Sequence, residues 1–148
     1  MPALDPPPHD GAGNVVPHDH DGIQPGDGII RRVPEHWVVD DEKAVGGRRL
    51  SSLAFRASSG RNGGMSVDLQ QQIEEAGLDA KQYVTTPRWV GSIRFVAGPL
   101  RAEGFKIGFD PTNENPYHGQ VWGDFTKSKQ RRLRELCEWF VPIPGASV

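Results

Sequence analysis

Cysteine and long apolar runs are nearly missing from this sequence. Its 148 residues include one cysteine, Cys137, so no disulfide can form within the chain, and a reducing compartment fits this composition. No run of about 18 apolar residues occurs, so the sequence predicts no membrane-spanning helix. The first residues lack the basic and apolar regions of a secretory signal peptide. We therefore expect a cytoplasmic protein with no membrane partner.

Signature motifs for cofactor and metal chemistry are absent too. The chain has no phosphate-binding P-loop, no Gly-x-Gly-x-x-Gly fingerprint and no cysteine pair that could hold zinc. Histidine and aspartate alternate over residues 18–21, and both are metal-ligating types, but a site needs ligands held in a fixed geometry. We therefore predict no metal site, and the sequence leaves the cofactor unknown.

Lysine and arginine are missing from the first 30 residues, which instead contain five aspartates and many prolines and glycines. A segment of this composition buries too little apolar surface to offset the entropy lost on ordering. The sequence predicts a flexible acidic arm over residues 1–28 and a single globular domain over residues 29–148. The net charge is −2, and because the arm is acidic the domain is slightly basic. That balance favours an anionic ligand, and it is far below the strongly basic balance typical of a protein with a nucleic-acid partner.

The domain pattern mixes short strands and helices without a regular strand–helix–strand rhythm. Apolar runs at 29–33 and 37–39, split by Pro34, predict an edge strand or two strand pieces. Residues 49–55 fit a strand or a helical turn, and 92–97, 105–109 and 117–122 fit strands. We expect an α+β fold: a small mixed or antiparallel sheet with two to three short helices and the disordered arm.

Helices and single helical turns are predicted after residue 65. Ser66 or Asp68 can cap the first, with Gly77 as its stop, and a short turn is predicted over 79–83. Pro99 can start a turn over 98–104. The last helix, capped by Thr126, carries an apolar stripe at helical spacing: Leu133, Leu136, Cys137 and Phe140. Its basic residues, between 127 and 134, either face phosphates or form an ordinary solvated side.

The residues best suited to catalysis are histidines and hydroxyls in short segments between strands. His36 and His118 are the histidines outside the arm, and each can act as an acid–base group or simply order its loop. We interpret His36, Ser52 and His118 as candidate catalytic residues. Four further residues are candidates for substrate binding, with arginine suited to phosphate: Arg49, Ser51, Asn115 and Tyr117.

Several of these motifs, taken in order, resemble a widespread group of uncharacterised bacterial proteins of similar size. The resembling stretches lie between about residues 31 and 123: Ser51-Ser52 with Ala54-Phe55, Met65-Ser66-Val67-Asp68, Ala97-Gly98-Pro99-Leu100-Arg101, and Asp110-Pro111 with Asn115-Pro116-Tyr117-His118-Gly119. This resemblance implies a shared domain and no particular activity.

A weaker resemblance is to small ADP-ribosyltransferase-like and RES-type toxin domains. Those families place an early Arg or His, a Ser-containing strand and a later polar residue around NAD. Here Arg32 or His36, then Ser51 and Ser52, then His118 follow a comparable order, although no catalytic Glu or Tyr falls where those families need it.

Three functions remain open at this point. The first is a small enzyme acting on a nucleotide-type substrate, NAD or an RNA end. The second is a non-catalytic accessory module of a bacterial conflict or defence system, with Trp37, Trp89 and Trp122 as exposed anchors for a protein partner. The third is a nucleic-acid binder that uses the basic side of the last helix.

Overall fold

A computed structural model describes residues 4–58 and 63–148 of the chain. The strands are β1 (Gly28–Val33), β2 (Val38–Asp40), β3 (Arg48–Leu50), β4 (Met65–Leu69), β5 (Gly91–Val96), β6 (Lys106–Phe109), β7 (His118–Trp122), β8 (Glu138–Val141) and β9 (Ala146–Ser147). The α-helices are α1 (Gln70–Glu75), α2 (Ala80–Val84), α3 (Ala97–Ala102) and α4 (Lys127–Leu136). Short 3-10 turns occupy Glu35–Trp37, Val45–Gly47 and Ser52–Phe55.

Two sheets carry the fold. The larger has six antiparallel strands in the order β6-β7-β4-β1-β5-β8, and the smaller has the order β2-β3-β9. The predicted α+β class is confirmed. The described residues hold four short α-helices where the sequence predicted two to three. None of the helices in the described ranges is long and apolar enough to cross a bilayer.

The apolar runs on either side of Pro34 form two strand pieces, β1 and β2, as the second of the two predicted alternatives has it. The first alternative was wrong, since β1 lies inside the large sheet, between β4 and β5, and not at an edge. Its alternation explains the position, because successive side chains point to opposite faces. Ile29 and Val33 enter the main core, whereas Ile30 packs with Ile73 in a second apolar cluster. Both faces of β1 are therefore covered. Pro34, which lacks an amide donor, ends the strand before the 3-10 turn.

Residues 65–69 form strand β4, so the predicted helix start at Ser66 or Asp68 was wrong. Met65, Val67 and Leu69 are all buried in the main core, and burial in the sheet outweighs the weak capping signal. Helix α1 begins only at Gln70, and Leu69 makes no side-chain capping bond. The predicted stop at Gly77 agrees with its positive φ of 80°.

Residues 4–27 pack on the large sheet, which differs from the flexible arm that their composition predicts. Ile23 is 1% exposed and belongs to the main core. The backbone amide of His20 donates to the Ile107 carbonyl at 2.8 Å. In return, the Ile107 amide donates to Asp19 at 3.0 Å, and the Phe109 amide donates to His18 Nε2 at 3.1 Å. These contacts cover β6, an edge strand whose outer backbone groups would otherwise be open.

The last helix is capped by Thr126, whose hydroxyl accepts from the Lys129 amide, as predicted. The expected apolar stripe is shorter than predicted, since α4 ends at Leu136 and Phe140 lies in β8. Strand β8 pairs with β5 at the far edge of the large sheet. Cys137 is half-buried at the end of α4, and its thiol donates to the Arg134 carbonyl at 3.4 Å.

Candidate functional site

The large sheet opens between β1 and β4. The two strands pair only through Ile29 with Leu69 and Ile30 with Asp68, whereas β1 stays paired with β5 as far as Val33. The opening forms a cavity of about 200 Å³, which we call the cleft. Its walls come from both strands and from two loops: Arg31, Arg32, Ser66, Val67, Asp68, Trp89, Asn115 and His118.

A second space, the outer cavity, adjoins the cleft and has a volume of about 430 Å³. It is lined by His36, Trp37 and Arg88, among others. Arg31, Ser66 and Trp89 line both spaces. His36 and His118 therefore border neighbouring cavities that share three residues.

Arg31 is the most unusual residue of the cleft. Its side chain is 6% exposed, and its guanidinium donates to the Ser66 carbonyl at 2.9 Å and to the Ser58 hydroxyl at 3.1 Å. It also lies 5.0 Å from the centre of the Trp37 ring. Every one of these partners is neutral, and the buried Nε has no hydrogen-bond partner within the described residues. Burial lowers the pKa of Arg31 to about 10, so it remains charged at neutral pH.

Asp68, by contrast, is a fully paired carboxylate. Arg32 donates to it through Nε at 2.8 Å and Nη2 at 3.0 Å, in the bidentate geometry that favours tight pairing. Asn115 donates to the same carboxylate at 2.7 Å and accepts from the Tyr83 hydroxyl at 2.8 Å. Burial, followed by the charge of Asp68, raises the pKa of Tyr83. The network fixes the Asn115 loop against β4, and it leaves no net charge to offset Arg31.

His118 stands at the start of β7 with its two ring nitrogens in different surroundings. Nδ1 lies 2.8 Å from the Asp110 carbonyl oxygen and 3.5 Å from the Asp110 carboxylate. A carbonyl can only accept, so Nδ1 carries the proton and Nε2 presents a lone pair. Among the described residues, Nε2 has no hydrogen bond. The imidazole is thus held in the tautomer that a general base needs.

The next residue, Gly119, is required for this placement. A Cβ there would lie 2.8 Å from the Gly108 carbonyl oxygen and 2.8 Å from the Leu69 side chain. Only glycine allows β7 to approach both neighbours this closely.

Two tryptophans border the shared part of the cavities. Trp37 and Trp89 are half-buried, with ring centres 6.1 Å apart, and the Arg88 guanidinium lies over Trp89 at 5.0 Å. Trp122 is 5% exposed and packs against His18, so its interpretation as an exposed anchor was wrong. Trp89 is therefore the aromatic surface that the cleft offers to a ligand.

The predicted site residues fall in different places. Asn115 and His118 line the cleft, and His36 lines the outer cavity. Arg49 lies in the small sheet, paired with Asp41 at 2.9 Å. Tyr117 packs edge-on against Tyr83.

The two predicted serines are also separated from His118. Ser51 has a buried hydroxyl with no hydrogen-bond partner within the described residues, although its amide donates to the Trp37 carbonyl. Ser52 accepts from Arg56 at 3.1 Å and lines a third cavity, beside α4. The structure thus brings together only part of the predicted set.

Sequence reasoning missed Arg31 and Asp68 as site residues, and it named Trp89 only as an anchor for a protein partner. A signal for Arg31 was available, because two adjacent arginines inside the apolar strand sequence GIIRRV must point to opposite faces. At least one of them therefore has to enter an apolar side of the sheet. No comparable signal marked Asp68, since its place beside His118 depends on the pairing of β4 with β7.

Within the described ranges, no group of three histidine, cysteine or acidic side chains could hold a metal ion. The residues of the cleft suit an anion instead. No family model, curated protein or solved structure matches this chain. The two resemblances drawn from its motifs therefore stay predictions.

Proposed function

We propose that this protein binds a nucleotide-type ligand in the cleft and that His118 is the acid–base group acting on it. The observation that carries the proposal is Arg31: a buried guanidinium on the wall of a cavity, whose partners among the described residues are all neutral. Burying a charge without a counter-charge is costly, and such a charge is retained where a ligand can neutralise it. The ligand class that follows is an anion.

The phosphate group is the anion that this geometry favours. A guanidinium binds phosphate oxygens more specifically than an ammonium group does, because its donors form a planar fork. Nε of Arg31 is the donor that still needs an acceptor. Arg88, exposed on the outer-cavity side, can add a second positive charge to a ligand with more than one phosphate.

Trp89 supports a ligand that carries a base as well as a phosphate. It lines both spaces and is half-buried, so part of its surface is open to a planar group. Stacking of a base on an aromatic ring contributes about 1–3 kcal/mol and tolerates any base. The cleft and the outer cavity together exceed the volume that a phosphate alone would fill.

His118 supplies the chemistry in this proposal. Its protonated Nδ1 is occupied by Asp110, which leaves Nε2 to accept a proton from a hydroxyl or water that attacks the ligand. His36, across the shared wall, is the candidate for the second acid–base role. It is exposed, so a bound ligand would have to order it.

A thermal-shift screen of the full chain against AMP, ADP, NAD and ADP-ribose tests the binding part. A ligand that binds only the folded state adds about 2.7 kcal/mol at 100 times its dissociation constant, which corresponds to several degrees. If none of the four raises the unfolding temperature, the cleft is not a nucleotide site.

Product analysis with His118→Asn tests the acid–base part. Asparagine can keep the donor to the Asp110 carbonyl but has no counterpart of Nε2, so binding should survive while turnover is lost. His9→Asn, an exposed histidine outside both cavities, is the matched control. Equal turnover by His118→Asn and His9→Asn would remove His118 from the chemistry.

A further inference from the structure

A third cavity, of about 520 Å³, lies between α4 and the 3-10 turn Ser52–Phe55. We call it the basic cavity, because four of its seven lining residues are cationic and none is acidic: Ser52, Phe55, Arg56, Lys127, Gln130, Arg131 and Arg134. The charged side chains that line the basic cavity are therefore all positive.

The cations of α4 divide by face. On one side, Lys129 and Arg132 both pair with Glu103, and Arg132 also pairs with Glu135. On the cavity side, Lys127 and Arg131 form no ion pair within the described residues. This division differs from an ordinary solvated helix face, where charges of both signs alternate.

The two remaining arginines of the basic cavity also have neutral partners. Arg134 donates to the Leu50 carbonyl at 2.7 Å and lies over the Phe55 ring at 4.8 Å. Arg56 donates to the Ser52 hydroxyl at 3.1 Å. Burial, with a smaller contribution from the charge of Arg49, lowers the pKa of Arg134. Each of the four cations is thus able to take an anionic partner.

Arg56 connects the basic cavity to the proposed nucleotide site. It lines both the basic cavity and the outer cavity, and its carbonyl accepts from Arg31 Nη2 at 3.4 Å. Positive side chains therefore follow one another from the cleft to α4. A ligand that spans this row must carry several negative charges at intervals.

We infer that the basic cavity binds the phosphate backbone of a single-stranded nucleic acid, one nucleotide of which occupies the cleft. Phe55 is fully buried, so the basic cavity offers no ring for stacking, and its four cations suit phosphates. Trp89 offers a ring in the cleft. Backbone contacts in one place and base contacts in another are the usual division in such complexes. The inference rests on the proposed function, whose substrate class it narrows.

Calorimetric titration with AMP and with an oligoadenylate of about six nucleotides, a length typical of small single-strand sites, tests the inference. The variant is Lys127→Gln with Arg131→Gln, both exposed. The control is Lys43→Gln with Lys106→Gln, which removes the same charge from exposed residues outside all three cavities. The wild type and the control should bind the oligonucleotide at least about tenfold more tightly than AMP.

The cavity variant should lose this gain while its affinity for AMP stays within about twofold. The slope of log affinity against log salt should fall by about 1.4, because each phosphate contact of a single strand contributes about 0.7. An oligonucleotide bound no more tightly than AMP, or equal losses in variant and control, would overturn the inference and leave AMP binding intact. Oligonucleotide binding without AMP binding, lost in the cavity variant, would support the basic cavity and reject the cleft.

Discussion

The N-terminal segment and the cleft use similar polar side chains in opposite ways. In the segment, His18, Asp19 and His20 all bond to described groups of the chain, and Asp19 accepts from both Ile107 and Arg101. In the cleft, Arg31 is buried, and its Nε has no hydrogen-bond partner in the part of the chain that the structure describes. The run His18-Asp19-His20 consists of metal-ligating residue types, but its side chains bond to other groups of the chain. Arg31, an ordinary strand residue in the sequence pattern, keeps a donor that a ligand can bond.

Residue type alone therefore does not mark a site. A polar side chain whose bonds are all made within the chain contributes to stability, whereas one that is buried and incompletely bonded reduces stability until a partner arrives. The cleft contains both kinds, since Asp68 is fully paired and Arg31 is not. Substitutions can therefore separate the two roles.

The largest effect is expected from Asp68→Asn. This change removes the buried charge that Arg32 and Asn115 bind, and breaking such a pair costs about 3 kcal/mol. Asp41→Asn is the control, because it breaks the more exposed pair with Arg49 and should cost less than about 1 kcal/mol. Urea unfolding measures both. Equal costs would mean that the Asp68 network does not hold the cleft.

A smaller effect is expected from Asp19→Ala, which removes the acceptor for the Ile107 amide and the Arg101 guanidinium. The Asp19 side chain is 46% exposed, and solvent screening weakens both interactions, so we expect a loss of about 1 kcal/mol. Asp21→Ala, two residues away and exposed, should change the free energy of unfolding by less than about 0.5 kcal/mol. If both variants unfold like the wild type, residues 4–27 behave as the flexible arm that the sequence predicts.

The smallest effect at neutral pH concerns Cys137, whose thiol donates to the Arg134 carbonyl. Burial raises the pKa of the Cys137 thiol from 9.0 to about 12. As the pH rises, Cys137 therefore loses its thiol proton at a lower pH in the unfolded chain than in the folded protein. The stability contributed by the buried thiol is therefore complete below pH 9 and is lost as the pH approaches 12.

Unfolding experiments on wild type and Cys137→Ala between pH 8 and about 11 measure this dependence. The free energy of unfolding of the wild type should decline faster with pH than that of the variant. Parallel curves would show that the thiol is not buried in the folded protein.

The sequence predicted much of the secondary structure and only part of the site. Strong local signals gave correct elements: alternation in 92–97 and 105–109, the cap Thr126, the stop Gly77. Strand β4 was missed because a weak capping pattern competed with burial that only the assembled sheet creates. The packing of residues 4–27 was missed because composition does not show that an edge strand needs a cover.

For the candidate site, His118 and Asn115 could be chosen from their segment, since Pro116 and Gly119 restrict or open the backbone around them. Their neighbours could not be chosen in the same way. Asp68 lies opposite His118 because β4 pairs with β7, and Arg31 reaches the cleft because β1 and β4 separate after two residue pairs. Both are long-range properties that no local pattern encodes. Ser52 and Arg49 have suitable chemistry, but other elements carry them away from the cleft.

The claim that the cleft holds Arg31 for an anionic ligand is tested by the unfolding temperatures of wild type and Arg31→Met, measured as a function of AMP concentration. Methionine keeps much of the side-chain volume and removes the charge, so the unliganded variant should fold. We predict that AMP raises the unfolding temperature of the wild type by several degrees and leaves that of folded Arg31→Met unchanged. Equal shifts in the two proteins, or no shift in either, would contradict the claim that Arg31 is held for an anionic ligand.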